Sequence, residues 1–189
     1  MEISLIRHGQ STLVENRKMS GDEFNDWVSK YDEVGVFERK TYPAETIQKI
    51  SEAHVVLTSD LKRSIESAKF LKVDSKMTSN ILFRETELPK LSLKISLLKL
   101  KPSTWAVILR TLWFMGYSND CESKRMARIR AEKAALLLVE YAKTYNSVAL
   151  VGHGFLHMFI AKELRKMGMQ GQKRTNSTHW GVTTYRLLD

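Results

Sequence analysis

Four short segments of this chain carry side chains able to handle a phosphoryl group. Arg7-His8-Gly9 ends one apolar run, and Ser59-Asp60-Leu61-Lys62-Arg63 follows a second. Phe83-Arg84-Glu85 closes a third, and Val151-Gly152-His153-Gly154 a fourth. Phosphoryl transfer asks for an in-line nucleophile, cations around the equatorial oxygens and a proton for the departing oxygen. Neutral imidazole is a good nucleophile near pH 7, and a hydrogen bond at one ring nitrogen leaves the other free to attack. His8 is expected to take that role. Arg7 and Arg63 are expected to hold the phosphoryl oxygens, because a guanidinium fork matches phosphate geometry and stays charged. His153, once protonated, adds a further charge-assisted donor facing His8. Glu85 is the expected general acid for the leaving alkoxide, and afterwards the base that activates water. These cations supply the positive charge the reaction needs, so neither a metal nor a cofactor is expected.

Singly, each of these residues has a bland explanation. A lone His8 or His153 would be read as a structural histidine; two histidines and two arginines at matching strand ends read as a site. His153 and His157 stand four apart, the spacing of a metal pair on a helix, but no third ligand accompanies them. His157 is therefore expected to be a packed or exposed helix residue. His54 is expected to be structural, and His179, just before the last strand, is assigned nothing. Glu87 is the fallback for the acid/base role, and only one of Glu85 and Glu87 is expected to reach the phosphate.

The elements that must position these residues alternate between strand and helix. Ile3–Ile6, Val55–Leu57, Val148–Val151 and Gly181–Leu187 have strand character, with Ile81–Phe83 a weaker candidate. Ala44–Ala53, Leu61–Leu71, Glu122–Thr144 and Gly154–Met167 have helical periodicity. Asp60 is the expected cap of the second helix and Gly168 the stop of the last. Such alternation argues for an α/β sandwich with helices on both faces of a sheet. Ligands then sit outside the carboxyl ends of the strands, where His8, Ser59, Arg63, Glu85 and His153 all fall.

In the order in which they occur, the four motifs resemble those of the histidine phosphatase superfamily, the phosphoglycerate-mutase-like proteins, and the resemblance extends from residue 3 to about residue 160. It implies a three-layer α/β/α sandwich with a mostly parallel central sheet. It also implies a phosphohistidine mechanism on His8, with Arg7 and Arg63 on the phosphate, Glu85 as acid/base and His153 opposite the nucleophile. Gln10, Ser11 and Asn16 are candidate substrate-binding residues. The sequence departs from the family at three places. Val14 stands where phosphoglycerate-type members carry asparagine, with Asn16 nearby. Leu88-Pro89-Lys90-Leu91 replaces a glycine-rich aromatic stretch, and Cys121 replaces the glycine of a Gly-Glu-Ser helix start. These changes weaken a mutase reading and leave the phosphatase core intact. The expectation is a phosphomonoester phosphatase. The alternatives are a mutase, which returns the phosphoryl group to a second substrate oxygen, and a non-catalytic phospho-ligand binding module.

With 189 residues, 43% of them hydrophobic, the chain can bury one substantial core, and a single domain over 1–189 is expected. One cysteine, Cys121, excludes an internal disulfide, which suits a reducing compartment. The first strand begins at residue 2, leaving no room for a cleavable leader, and a cytoplasmic protein is expected. No apolar run is long enough to span a bilayer. The net charge of +9 is mostly dispersed among acids, and no nucleic-acid motif accompanies it, so a small phosphorylated substrate or a phosphoprotein is the expected partner. Oligomeric state is not legible.

The segment from about 88 to 120 is an expected specificity element: five basic residues and no acidic one fall between Leu88 and Asn119. Lys90–Leu97 alternates polar and apolar residues as a strand does. Trp105, Ile108, Leu109, Leu112 and Trp113 then fall at helical spacing. Three readings remain open: an apolar face packed on the core, a cap that would favour anionic, partly apolar substrates, and an interfacial membrane contact.

Overall fold

The computed structural model describes residues 1–71, 76–91 and 98–187. Its centre is a six-stranded sheet made of β1 (Glu2–Arg7), β2 (Val55–Thr58), β3 (Lys76–Ser79), β4 (Ser147–Gly152), β5 (Gln170–Gly171) and β6 (Val182–Arg186), in the order β3-β2-β4-β1-β6-β5. Strands β3, β2, β4 and β1 run parallel, whereas β6 is antiparallel to β1 and β5 to β6. The helices are α1 (Gly21–Glu33), α2 (Ala44–Ser51), α3 (Lys62–Phe70), α4 (Pro102–Phe114), α5 (Lys124–Tyr145) and α6 (Gly154–Lys166). This is the α/β architecture expected from the alternation of elements, with the mostly parallel sheet that the resemblance implied.

Alternation within each strand explains the two helical layers. Ile3, Leu5, Val55, Leu57, Val148 and Leu150 point to one face, where they pack on the alanine-rich side of α5 and on Leu156, Ile160 and Leu164 of α6. Ile6, Val56, Ala149 and Val151 point to the other, against Ile50 of α2, Ala68 of α3 and Trp180. Burying each side chain of leucine size stabilises the fold by about 1.5–3 kcal/mol. Helix α6 stops where expected: Gly168 sits at φ +88, and its N–H closes on the carbonyl of Arg165 at 3.2 Å.

A third apolar cluster lies apart from these two, formed by Met19, Phe24, Leu91, Trp105 and Leu109. Helix α1 enters it through a capping box. Ser20 Oγ accepts from the Glu23 N–H at 3.3 Å, and Glu23 Oε2 accepts from the Ser20 N–H at 2.8 Å. Helix α4 is shared between layers, since Trp105 and Leu109 enter the third cluster while Trp113 enters the main core. Ile108, expected on the same buried stripe, is exposed. Of the alternating stretch Lys90–Leu97, residues 92–97 lie outside the described residues.

Two expectations are corrected. Ile81–Phe83 is a 3-10 turn, because the Asn80 side chain accepts the N–H of Leu82 and ends the extended chain; the neighbouring strand is β3 instead. Asp60 does not cap α3, whose cap position is Leu61 without a side-chain bond. The Asp60 carboxylate is taken by Arg84, whose Nε and Nη2 donate to it at 2.7 and 2.6 Å.

Candidate active site

Parallel pairing of β1 with β4 sets Arg7 level with Gly152, so the next residue of each strand, His8 and His153, emerges at the same edge. Their ring centroids are 5.1 Å apart. The His8 N–H donates to the Gly152 carbonyl at 2.9 Å, tying the two turns together. Both glycines beside these histidines are required by space. A Cβ on Gly9 would lie 2.1 Å from the Trp180 ring, and one on Gly152 2.7 Å from His157 Nε2.

His8 is buried, and its Nδ1 lies 2.7 Å from the Gly9 carbonyl oxygen. A carbonyl can only accept, so Nδ1 carries the proton and Nε2 carries the lone pair. Burial first, then the guanidinium of Arg63, holds the imidazole well below its ordinary pKa of 6.5; Arg7 and His179 add to this, and the Gly9 carbonyl opposes it. His8 is therefore an uncharged imidazole with one nitrogen free to attack at neutral pH.

His153 is wholly buried, and its Nε2 is 2.7 Å from Ser59 Oγ, brought there by β2 on the other side of β4. Burial, Arg63 and His8, in that order, push its pKa down as well. The protonated His153 expected from the sequence thus requires an arriving anion, whose charge would reverse the repulsion of the neighbouring cations. Arg63, in the first turn of α3, is buried. Its Nη1 donates to Asp32 Oδ1 at 2.8 Å and to the Tyr31 carbonyl at 3.3 Å. Arg7 Nη1 donates to the Ser177 carbonyl. Arg7 Nε, Arg63 Nε and His153 Nδ1 are buried without a protein partner. Unpaired buried donors are costly, and several at one strand edge suit a ligand rich in acceptors.

Glu85 approaches from the opposite wall. Its Oε1 accepts the N–H of Leu156 at 2.9 Å and of Thr86 at 2.8 Å, and its Oε2 accepts that of Phe155 at 3.1 Å. The carboxylate is thus held at the N-terminus of α6, the helix that begins immediately after His153. Glu87 turns away, its Oε2 accepting the N–H of Glu122 at 2.9 Å. Two guanidinium groups satisfy the irregular backbone between them. Arg130 of α5 donates to the carbonyls of Leu82, Arg84 and Glu85. Arg110 of α4 donates to those of Thr86 and Glu87 and to Thr86 Oγ1.

The structure brings Arg7, His8, Arg63, Glu85 and His153 to one region. Gln10, Ser11 and Asn16 lie on the loop after β1. Gln10 is exposed, Ser11 Oγ accepts the N–H of Leu13 at 3.2 Å, and Asn16 is exposed. Among the described residues, none of these three side chains bonds to the five just named. Sequence reasoning gave no role to His179, whose ring centroid is 5.9 Å from that of His8. It also gave none to Ser59, although the motif that identified Arg63 contains it. His157 is buried inside α6 with its pKa lowered to about 3 by burial and by Arg7. Among the described residues no three His, Cys, Asp or Glu side chains are grouped to hold a metal ion. No helix there is long and apolar enough to cross a membrane.

A cleft of about 470 Å³ opens from Arg63 and Glu85 between α1, α4 and the start of α6, with Trp27, Tyr31, Ala106, Arg110 and Phe155 in its walls.

Comparison with known proteins gives the same direction. A family model described as the histidine phosphatase superfamily (branch 1) matches residues 3–188. No curated protein sequence matches the chain. Among solved structures, an open-reading-frame product of Mycobacterium tuberculosis is similar with 17% identity and a TM-score of 0.63, over 97% of this chain and 89% of that one. A mycobacterial glucosyl-3-phosphoglycerate phosphatase in complex with VO3 is similar with 18% identity and a TM-score of 0.58, over 97% and 91%. A phosphoglycerate mutase from Bacillus anthracis str. Sterne has 14% identity and a TM-score of 0.60, over 97% and 86%. At such identities the likeness is one of fold.

Proposed function

This chain belongs to branch 1 of the histidine phosphatase superfamily, and from that premise we propose that it hydrolyses phosphomonoesters through a phosphohistidine on His8. The observation that carries the reading is the His8–His153 pair, with rings 5.1 Å apart and the nucleophilic Nε2 of His8 left free by the Nδ1 contact to Gly9. The lone pair of Nε2 attacks phosphorus while the ester P–O bond breaks in line, and the phosphoryl oxygens accept from Arg7, Arg63 and His153. Glu85, protonated for this half-reaction, gives its proton to the departing oxygen, and the alcohol leaves. Its carboxylate then takes a proton from water as the water oxygen attacks the phosphohistidine, which restores His8 and releases inorganic phosphate. Glu85 Oε2 suits the transfer better than Oε1, since it accepts one N–H at 3.1 Å where Oε1 accepts two at 2.8 and 2.9 Å.

A small phosphorylated substrate fits this chemistry, and the single cysteine supports a reducing, cytoplasmic setting. The test is a phosphatase assay of wild type and His8→Ala over a panel of phosphomonoesters, with rapid-quench trapping of protein-bound phosphate. Hydrolysis that disappears in His8→Ala, together with acid-labile, base-stable phosphate on the wild type, is expected. Phosphate returned to a second substrate oxygen would make the protein a mutase. Tight vanadate binding without turnover of any ester would make it a binding module.

A further inference from the structure

We propose that the alcohol half of the substrate is apolar, an alkyl or aryl chain that lies in the cleft between α1, α4 and α6. This rests on the phosphatase reading for the word alcohol, but the cleft's preference is a property of its walls. The cleft is continuous with the phosphate site, because Arg63 and Glu85 line both. Glu85, the proton donor to the leaving oxygen, stands at the junction, so the group attached to that oxygen must enter the cleft.

The charged side chains along the walls are bound to protein partners. Asp32 holds Arg63, Asp60 holds Arg84, and Glu122 holds Arg130. Glu87 accepts the Glu122 N–H, and Arg110 is committed to Thr86 and Glu87 while lying 4.3 Å over the Phe155 ring. What remains facing the space is mostly carbon, with the Tyr31 hydroxyl and the Trp27 ring N–H as its polar groups. Trp27, Val28, Ile81, Ala106 and Phe155 supply the carbon, with Ile81 63% and Phe155 39% exposed. Among the described residues the lining contains no Ser, Asn, Gln or His, the Thr86 hydroxyl already donates to Glu85 and accepts from Arg110, and Tyr31 supplies one further hydroxyl. A sugar or polyol placed here would find only these few partners and leave most of its hydroxyl groups desolvated without one, a cost that discriminates against it. An apolar chain would instead cover the exposed carbon surface, and the volume lies within the range of small-molecule sites.

The experiment uses n-alkyl monophosphates from ethyl to octyl, whose leaving alcohols differ little in acidity, with glycerol 3-phosphate as the polar control. The same chain-length series of alkylphosphonates, which cannot be hydrolysed, is measured in parallel by titration calorimetry. Both kcat/KM and phosphonate affinity are expected to rise with length, up to about fourfold per methylene, the equivalent of the ~0.8 kcal/mol that burying a methylene is worth. Glycerol 3-phosphate should be a poor substrate. Ile81→Ser, at an exposed wall position, should flatten the rise, and Ala106→Phe should stop it at a shorter chain. Phosphonate affinity independent of length, or glycerol 3-phosphate preferred over butyl phosphate, overturns the inference. Length-dependent phosphonate affinity with no ester hydrolysed would keep the apolar cleft and remove the phosphatase reading.

Discussion

The indole of Trp180 fills the space that a side chain on Gly9 would need: a Cβ there would lie 2.1 Å from Cζ2. Trp180 is not free to yield. It sits at φ +65, its N–H donates to the Arg7 carbonyl at 3.0 Å, and its carbonyl accepts the Thr46 hydroxyl at 2.5 Å. Gly9→Ala must therefore shift the turn whose carbonyl sets the His8 tautomer. The expected outcome is a loss of about 1–3 kcal/mol in urea unfolding, the range for overpacking a filled site. Turnover should fall at least tenfold. Trp180 is itself fully buried, so the test is a double-mutant cycle: Gly9→Ala should cost less in a Trp180→Leu background than in wild type, and an equal cost would mean that something other than the indole excludes the side chain.

Acid should destabilise the protein from about pH 6.5 downward, the range in which an unfolded histidine takes up its proton. Folded His157 resists protonation to about pH 3, so in between the unfolded chain binds more protons than the folded one. The stability due to neutral His157 is thus complete above pH 6.5 and is lost as pH falls toward 3, by at most about 1.4 kcal/mol per pH unit for this one proton. His8, His153 and His179 are lowered in the same direction. Urea titrations across this range should show a gentler slope for His157→Leu than for wild type; equal slopes would remove His157 as a contributor. The acid limb of kcat/KM, which reports the free enzyme, should also lie below pH 6.5 because His8 is already neutral there.

Orthovanadate should inhibit competitively, since its oxygens can accept from the buried, unpartnered nitrogens of Arg7, Arg63 and His153. Arg63→Ala should cost on the order of 3 kcal/mol in transition-state stabilisation, the size seen when one preorganised donor is removed. Steady-state kinetics checks this: the loss should appear in kcat as well as in kcat/KM. A loss confined to KM would limit Arg63 to anchoring the ground state.

The parts of the fold most legible in sequence are those buried on both sides. Strands β2 and β4 hold continuous apolar runs and β1 one interrupted only by Ser4, because helices cover both faces of the sheet there. Edge strand β3 gave no such signal: Lys76, Met77 and Ser79 are exposed. Ile81–Phe83 gave a false one, since an apolar triplet cannot show that Asn80 will turn the chain. Helix α1 went unread because it buries only Gly21 and Phe24, although Ser20 and Glu23 carry a recognisable capping box. In the site, the motifs located His8, Arg63, Glu85 and His153. The carbonyl that selects the His8 tautomer and the arginines that fix the Glu85 backbone come from a turn and two distant helices, a relationship no spacing encodes.

Glu85 and Glu87 can be separated by leaving group. In a regular strand residues two apart share a face, but here the backbone is clamped by Arg110 and Arg130 in an irregular path, and the two carboxylates diverge. Glu85 meets the start of α6 and Glu87 the start of α5. A general acid matters most when the leaving group is poor, because an alkoxide of high pKa cannot depart unprotonated. Glu85→Gln keeps the shape and removes the proton. It should cripple hydrolysis of alkyl phosphates and spare p-nitrophenyl phosphate more, whose phenolate leaves unaided. Since the same carboxylate activates water, the phosphohistidine form should accumulate in this variant under rapid quench. Glu87→Gln keeps an amide oxygen able to accept the Glu122 N–H and removes only the charge, and should cost less than about 1 kcal/mol of stability, with the leaving-group dependence of wild type. The opposite assignment would require Glu87→Gln to show the dependence and Glu85→Gln to lack it, which would move the acid/base role two residues along the chain.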